Sequence, residues 1–263
     1  MYRFDYQKPT TLSQASGLIA SGAQALAGGQ TLLASMKQRL IQPETLVDLS
    51  ALPDMAGVSE QNGSIRIGAM TRHAAVASSD VVRSKLPALA TLAGGIGDRQ
   101  VRSMGTIGGS VANNDPSACY PSALLALGAT VVTNQRSIAA EDFFQGMYAT
   151  ALEPGELITA VHVPIAQRAG YAKFKQPASR YAIVGVFVAQ TAAGVRVAIT
   201  GAANGVFRHA GLEAALTASF SAAAVENVQI DASDLNSDLH ASAEYRAQLI
   251  RVQTQRAVEQ ALG

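Results

Sequence analysis

Two short glycine runs carry the residue types with the clearest chemical meaning. Ala27-Gly28-Gly29-Gln30-Thr31 precedes a segment of helical periodicity, and Thr106-Ile107-Gly108-Gly109-Ser110 follows a stretch rich in Arg and Gly. Adjacent glycines admit backbone conformations that turn successive N–H groups into one concavity, and a following helix start adds its positive end. Thr31, Thr106 and Ser110 add hydroxyl donors. One such loop suits a phosphate and two suit a diphosphate, although for either alone a tight turn is the favoured reading. More familiar nucleotide fingerprints are missing. Gly95-Ile96-Gly97 starts like a dinucleotide motif but meets Gln100 where the third glycine belongs, and no Gly-x-x-x-x-Gly-Lys occurs.

Other chemistries find little support. His73, His162, His209 and His240 have no paired metal spacing, and Ser103 and Ser110 have no adjacent base. Asp98, Arg99 and Arg102 beside the second loop read as a polar turn more readily than as a phosphate cluster. Cys119 is the single cysteine, so it forms no internal disulfide and cannot supply the thiolates of a zinc or iron-sulfur site. Twenty Lys plus Arg against 19 Asp plus Glu leave a net charge of +1, which argues against a polyanionic polymer as partner. Arg3, Asp5 and Lys8 interrupt any secretory apolar run, and Ala182 to Ala193 is too short to span a bilayer. A cytoplasmic location is therefore expected.

The elements that must position the two loops are legible in outline. Thr11 and Gln14 form a capping-box pattern opening a helix to about Ser21, and Gln24 to Ala27 is a short strand before the first glycine pair. Thr31 to Leu40 has helical spacing, Leu46 to Leu49 reads as a strand, and Asn62-Gly63 predicts a hairpin into Ser64 to Ile67. Helices over Ala88 to Ala93 and Ser122 to Leu127 flank the second glycine concentration, with strands at Thr130 to Thr133 and Leu157 to Val163. Beyond a composition change near Arg168 come three strand candidates, Tyr171 to Lys175, Tyr181 to Thr191 and Val195 to Thr200, the last two joined at Ala193-Gly194. A small-residue helical region spans Ala214 to Ala224. The chain closes with a helix whose stripe is Leu249, Ile250, Ala257, Val258 and Leu262, with Arg246, Gln253 and Gln260 elsewhere.

The run AGGQTLLASMKQRL, followed by ETLVDL, IRIGAMTRH, RQVRSMGTIGGSVANNDPSACYPSALLALGATVV and PGELITAVHVP, resembles the flavin-binding medium subunit of molybdenum hydroxylases. Carbon monoxide dehydrogenase and xanthine dehydrogenase are well-known members. The resemblance covers nearly the whole chain in order. It implies an α+β fold: a vanillyl-alcohol-oxidase-type FAD-binding domain of two α+β subdomains over residues 1–167, then a small C-terminal flavoprotein domain, an antiparallel sheet plus helices, over 168–263.

The same resemblance implies that Ala27, Gly28, Gly29, Gln30, Thr31 and Leu32, together with Thr106, Ile107, Gly108, Gly109 and Ser110, hold the FAD pyrophosphate. Asn113 falls at a cofactor-contacting position, and Ile96 at one that packs near the isoalloxazine ring or simply in the core. Thr71 either contacts the flavin or caps the next helix. Lys175 matches a lysine near the flavin ring in xanthine dehydrogenase, with Lys173 as its competitor; a cation there favours the reduced, more negative ring. Two positions depart from the family. Cys119 stands where relatives carry Asp or Glu bonding the ribityl chain, with Asp115 as substitute or plain turn residue, and Arg180 stands where Asp is common. The implied activity is oxidoreductase electron transfer: FAD receives electrons from a molybdopterin cofactor through iron-sulfur clusters and delivers them to an external acceptor. Those centres belong to a large molybdenum-cofactor subunit and a small iron-sulfur subunit, typically in a dimer of heterotrimers. The competing readings are a freestanding FAD oxidase or dehydrogenase and a flavin-free interaction subunit.

Overall fold

Short strands joined through helices build the first sheet. The computed structural model describes residues 1–263. Strands β1 (Asp5–Gln7), β2 (Gln24–Leu26) and β3 (Thr45–Asp48) are all parallel, in the order β1-β3-β2. Helix α1 (Leu12–Ala20) links the first two, and Thr11 Oγ1 accepts the Gln14 N–H at its start, the half of the capping box that the spacing predicts. Helix α2 (Leu32–Lys37) is shorter than the expected 31–40. Arg39 turns left-handed at φ 61°, and Leu40 ends 71% exposed because nothing packs over it.

A second, antiparallel sheet carries most of the N-terminal core. Its strands β4 (Val58–Gln61) and β5 (Ser64–Gly68) are joined by Asn62-Gly63, both at positive φ, as this turn chemistry demands. Six helices fill the crossover to β6 (Thr130–Thr133): α3 (His73–Ser78), α4 (Asp80–Lys85), α5 (Pro87–Gly94), α6 (Arg99–Met104), α7 (Ile107–Asn113) and α8 (Tyr120–Leu127). After β7 (Ser137–Ala139) and helix α9 (Ala140–Phe143), a small hairpin of β8 (Phe144–Gly146) and β9 (Ala149–Thr150) leads to β10 (Ile158–Pro164). The sheet order is β4-β5-β10-β6-β7, so β10 sits at its centre.

The third sheet is an antiparallel meander of β11 (Arg168–Lys175), β12 (Ala182–Thr191), β13 (Gly194–Thr200) and β14 (Phe207–Arg208). Thr191 pairs with Gly194, so the turn is Ala192-Ala193, one residue earlier than expected. Strand β12 is a continuous apolar run because both its faces are covered, by α8 and by α11 (Ala243–Leu262). Helix α10 (Ala210–Ala218) covers β13. One apolar core joins α5, α8, β5 and β10 and reaches Tyr171 and Phe187 of the meander; a second lies between the meander and helices α10 and α11.

The closing helix differs from its sequence reading at its polar positions. Arg246 and Gln253 are buried, whereas Leu262 is half exposed at the helix end. Arg246 Nη1 donates to Ile183 O at 2.7 Å and Gly201 O at 2.9 Å, and Nη2 to Asp238 at 2.7 Å. Its charge is accommodated by carbonyls that the helical pattern alone does not reveal.

Candidate functional site

The two glycine loops, far apart in sequence, lie against each other. A Cβ on Gly28 would fall 2.3 Å from Met104 O and 2.6 Å from Gly105 Cα, and one on Gly109 would be 3.4 Å from Ala27 Cβ. Only glycine permits the approach at Gly28. Gly29 is left-handed, φ 69°, which turns the chain from β2 into α2. The backbone N–H groups of Gly28, Gly29, Gln30, Thr31 and Leu32 have no acceptor within the chain, while Gly29 O and Thr31 O accept from Leu33 and Ser35. Gln30 Nε2 donates back to Gly28 O at 3.1 Å and stiffens the loop.

The second loop is built differently. Ile107 N–H donates to Thr71 O at 3.0 Å, Gly108 N–H to Ala69 O at 2.8 Å, and Ser110 N–H to Thr106 O at 3.1 Å. Gly109 N–H donates to Thr106 Oγ1 at 3.2 Å, the N-cap of α7. A Cβ on Gly108 would lie 2.5 Å from Ala69 Cβ, so glycine here serves packing against the end of β5. The loops are therefore unequal: the first presents unpaired donors, and the second forms the wall behind them with its N–H groups already engaged. Thr71 is buried, and its hydroxyl accepts from Gly57 N–H at 2.9 Å and donates to Gly57 O at 3.1 Å. It caps no helix, since the α3 cap position is Arg72.

Three further segments converge on the same region. The Gly95–Gly97 loop is held by Arg102 Nη1, which donates to Ile96 O at 2.9 Å and Gly97 O at 3.3 Å, while Asp98 Oδ1 caps α6 by accepting Val101 N–H at 2.8 Å. Asp98 and Arg102 thus make the polar turn that the sequence favours, and Ile96 packs half-buried on the larger core. At the end of α7 two asparagines divide the work. Asn114, left-handed and buried, donates to Gly146 O and Ala149 O and ties down the β8–β9 hairpin; the Asn113 side chain makes no hydrogen bond. Asp115 accepts Ser117 N–H at 2.8 Å and the Tyr148 hydroxyl at 3.3 Å.

The meander supplies the remaining side. Cys119 is buried at the start of α8. Lys173 Nζ donates to Gly95 O at 2.8 Å and Arg180 O at 3.1 Å and lies 3.5 Å from Cys119 Sγ. Lys175, past a bulge after Phe174, is exposed and makes neither a hydrogen bond nor an ion pair. Gln176 to Tyr181 form a closed turn: Arg180 N–H donates to Gln176 O, Gln176 N–H donates to Tyr181 O, and Arg180 sits at φ 63°. The half-exposed Tyr181 faces Thr31 and Asp115. Burial, then Asp115 and Cys119, raises its phenol above the ordinary range, and Thr31 opposes that rise. Burial and Asp115 raise Tyr148 as well.

Tyr181, Tyr148 and the full role of Lys173 escape sequence reasoning, because they reach the glycine loops only through packing between distant strands. The alternation of Tyr171 and Lys173 on one face of a strand is the one signal that points toward them. A pyrophosphate fits this set. Five unpaired N–H groups at 28–32 begin at Gly28, which packs on Met104 and Gly105, and Gly109 of the second loop lies near Ala27.

The chain is similar to known proteins over most of its length. Residues 2–166 match the family model described as the FAD binding domain in molybdopterin dehydrogenase. The chain is 41% identical to the carbon monoxide dehydrogenase medium chain of Afipia carboxidovorans over 73% of this chain and 70% of that one. It is 33% identical to the nicotine 6-hydroxylase medium subunit of Paenarthrobacter nicotinovorans over 97% of this chain and 96% of the other. Its structure superposes on a chain of the reconstituted CO dehydrogenase from Oligotropha carboxidovorans with a TM-score of 0.89 at 33% identity, covering 99% and 98% of the two chains.

Proposed function

Because this chain belongs to the family of FAD-binding medium subunits of molybdopterin dehydrogenases, we propose that it is the flavin-carrying electron-transfer subunit of a molybdenum hydroxylase whose other centres lie on separate subunits. When bound, FAD supplies the electron chemistry, taking electrons that arise at a molybdopterin centre and pass through iron-sulfur clusters, and yielding them to an external acceptor. This chain holds and orients it. Gly28 to Leu32, following Ala27, would offer their N–H groups to the pyrophosphate, and Thr106 to Ser110 would close the other side. Asn113, Asp115 and Cys119 would hold the ribityl chain. Ile96 would pack at the ring, and Lys175 would supply a cation near it. Thr71 supports the wall through Gly57 and Ile107.

The observation that carries this reading is the row of unpaired N–H groups at 28–32, whose first residue, Gly28, packs against Met104 and Gly105. The family points to a small iron-sulfur subunit and a large molybdenum-cofactor subunit as partners, in a cytoplasmic dimer of heterotrimers, and the single cysteine of this chain, which supplies no iron-sulfur set, is compatible with that division. The proposed domain division, 1–167 and 168–263, coincides with the start of β11. Relatives are named for substrates as different as carbon monoxide and nicotine, and the reading assigns the oxidised substrate to the large subunit rather than to this chain.

Reconstitution of the purified chain with FAD tests the reading. A yellow protein with a bound-flavin absorption spectrum is expected, and a chain that stays colourless at saturating FAD overturns it. Lys175→Ala is expected to lower the flavin reduction potential, since a nearby cation favours the reduced ring; an unchanged redox titration removes Lys175 from that role.

A further inference from the structure

We propose that Lys173 is the positioning residue of this site: its ammonium group clamps the Gly95–Gly97 loop, the turn ending at Tyr181 and the Cys119 end of α8 into one wall. The proposal rests on the flavin reading above and names the residue that assembles its ring side. Three segments far apart in sequence meet at one atom. Nζ donates to Gly95 O at 2.8 Å and to Arg180 O at 3.1 Å and touches Cys119 Sγ at 3.5 Å. Gly95 precedes Ile96, and Arg180 precedes Tyr181, so the clamp sets the spacing between an aliphatic and an aromatic side chain.

The charge on this clamp has no ionic partner. Its contacts are two carbonyls and a thiol, none of them a carboxylate. Tyr171, two residues earlier on the same face, is buried against the same thiol, and its hydroxyl has no hydrogen-bond partner. Lys173 thus donates to Cys119 while the Tyr171 hydroxyl beside the same sulfur goes unpaired, and sulfur is a weak acceptor. Donors in excess call for an acceptor at position 119. A carboxylate there would take a charge-assisted bond from Lys173 and tighten the wall. The effect of residue 119 on cofactor affinity accordingly runs through Lys173.

A double-mutant cycle on the full chain tests this, with FAD affinity and the melting temperature of the cofactor-free protein as readouts. Cys119→Asp is expected to lower the FAD dissociation constant about tenfold and to raise the melting temperature. Lys173→Met is expected to raise the dissociation constant about tenfold and to erase both gains of Cys119→Asp. Lys173→Arg should recover most of the affinity, and Cys119→Asn, whose amide oxygen accepts without a charge, should give a smaller gain than Cys119→Asp. Additive effects, or a Lys173→Met protein that binds FAD as the wild type does, overturn the proposal. If the wild-type chain takes up no FAD, the flavin reading fails separately and the melting-temperature cycle decides the clamp: non-additivity supports it and additivity overturns it.

Discussion

At the scale of single residues, function here depends on side chains that are absent as much as on those present. Gly28 lies so close to Met104 O that any β-carbon must push the two loops apart. Gly28→Ala is expected to cost about 2 kcal/mol of stability and to abolish FAD retention, read by denaturant unfolding and by absorbance after gel filtration. Wild-type flavin content in that variant would show that the loops need not touch. Glycines at 28 and 108 are legible in the sequence as special, but for different reasons. The first exposes donors, while the second lets α7 pack on Ala69 with its N–H groups spent on carbonyls. Identical dipeptides carry no sign of which task each performs.

At the scale of elements, the helix that closes the chain is seated by backbone contact and one buried charge. A Cβ on Gly170 would fall 1.8 Å from Ala257 O, so β11 and α11 touch main chain to main chain. Gly170→Ala is expected to destabilise the protein by about 3 kcal/mol or more, measured by urea unfolding, since neither backbone can give way. Arg246→Ala strands Ile183 O and Gly201 O at the ends of β12 and β13 and should cost about 3 kcal/mol in the same assay. The apolar stripe of α11 is plain in the sequence, yet the burial of Arg246 and Gln253 beside it is not. Helical periodicity reports which residues share a face, whereas the width of the covered face depends on the sheet beneath.

At the scale of the whole molecule, acid stability falls in two windows. Burial, and then the nearby Arg102, holds His73 down to about 4, so it stays neutral in the fold while the unfolded chain takes up a proton from about pH 6.5 downward. Stability from this group is complete above 6.5 and is lost as pH falls toward 4. A hydrogen bond from Arg136, joined by those from Glu153 N–H and Thr133, holds Glu156 down to about 2 despite its burial. Its contribution is present above about 4.5 and disappears as pH falls to about 2. Replacing His73 with Phe should flatten the upper window and Glu156→Gln the lower one, in denaturant midpoints followed against pH; an unaltered curve removes the corresponding group from the acid response.

The sequence alone determined the family, the α+β alternation, the helical and hairpin turns, and the two glycine loops, because each rests on local periodicity, local turn chemistry or a contiguous motif. Tertiary structure alone decided that the loops meet, that only the first keeps its N–H groups free, and that Lys173 rather than Lys175 reaches Gly95 and Cys119. Hydrogen-bond partners separated by scores of residues are chosen by how sheets and helices pack. A bulge after Phe174 is enough to direct one of two neighbouring lysines inward and leave the other in solvent.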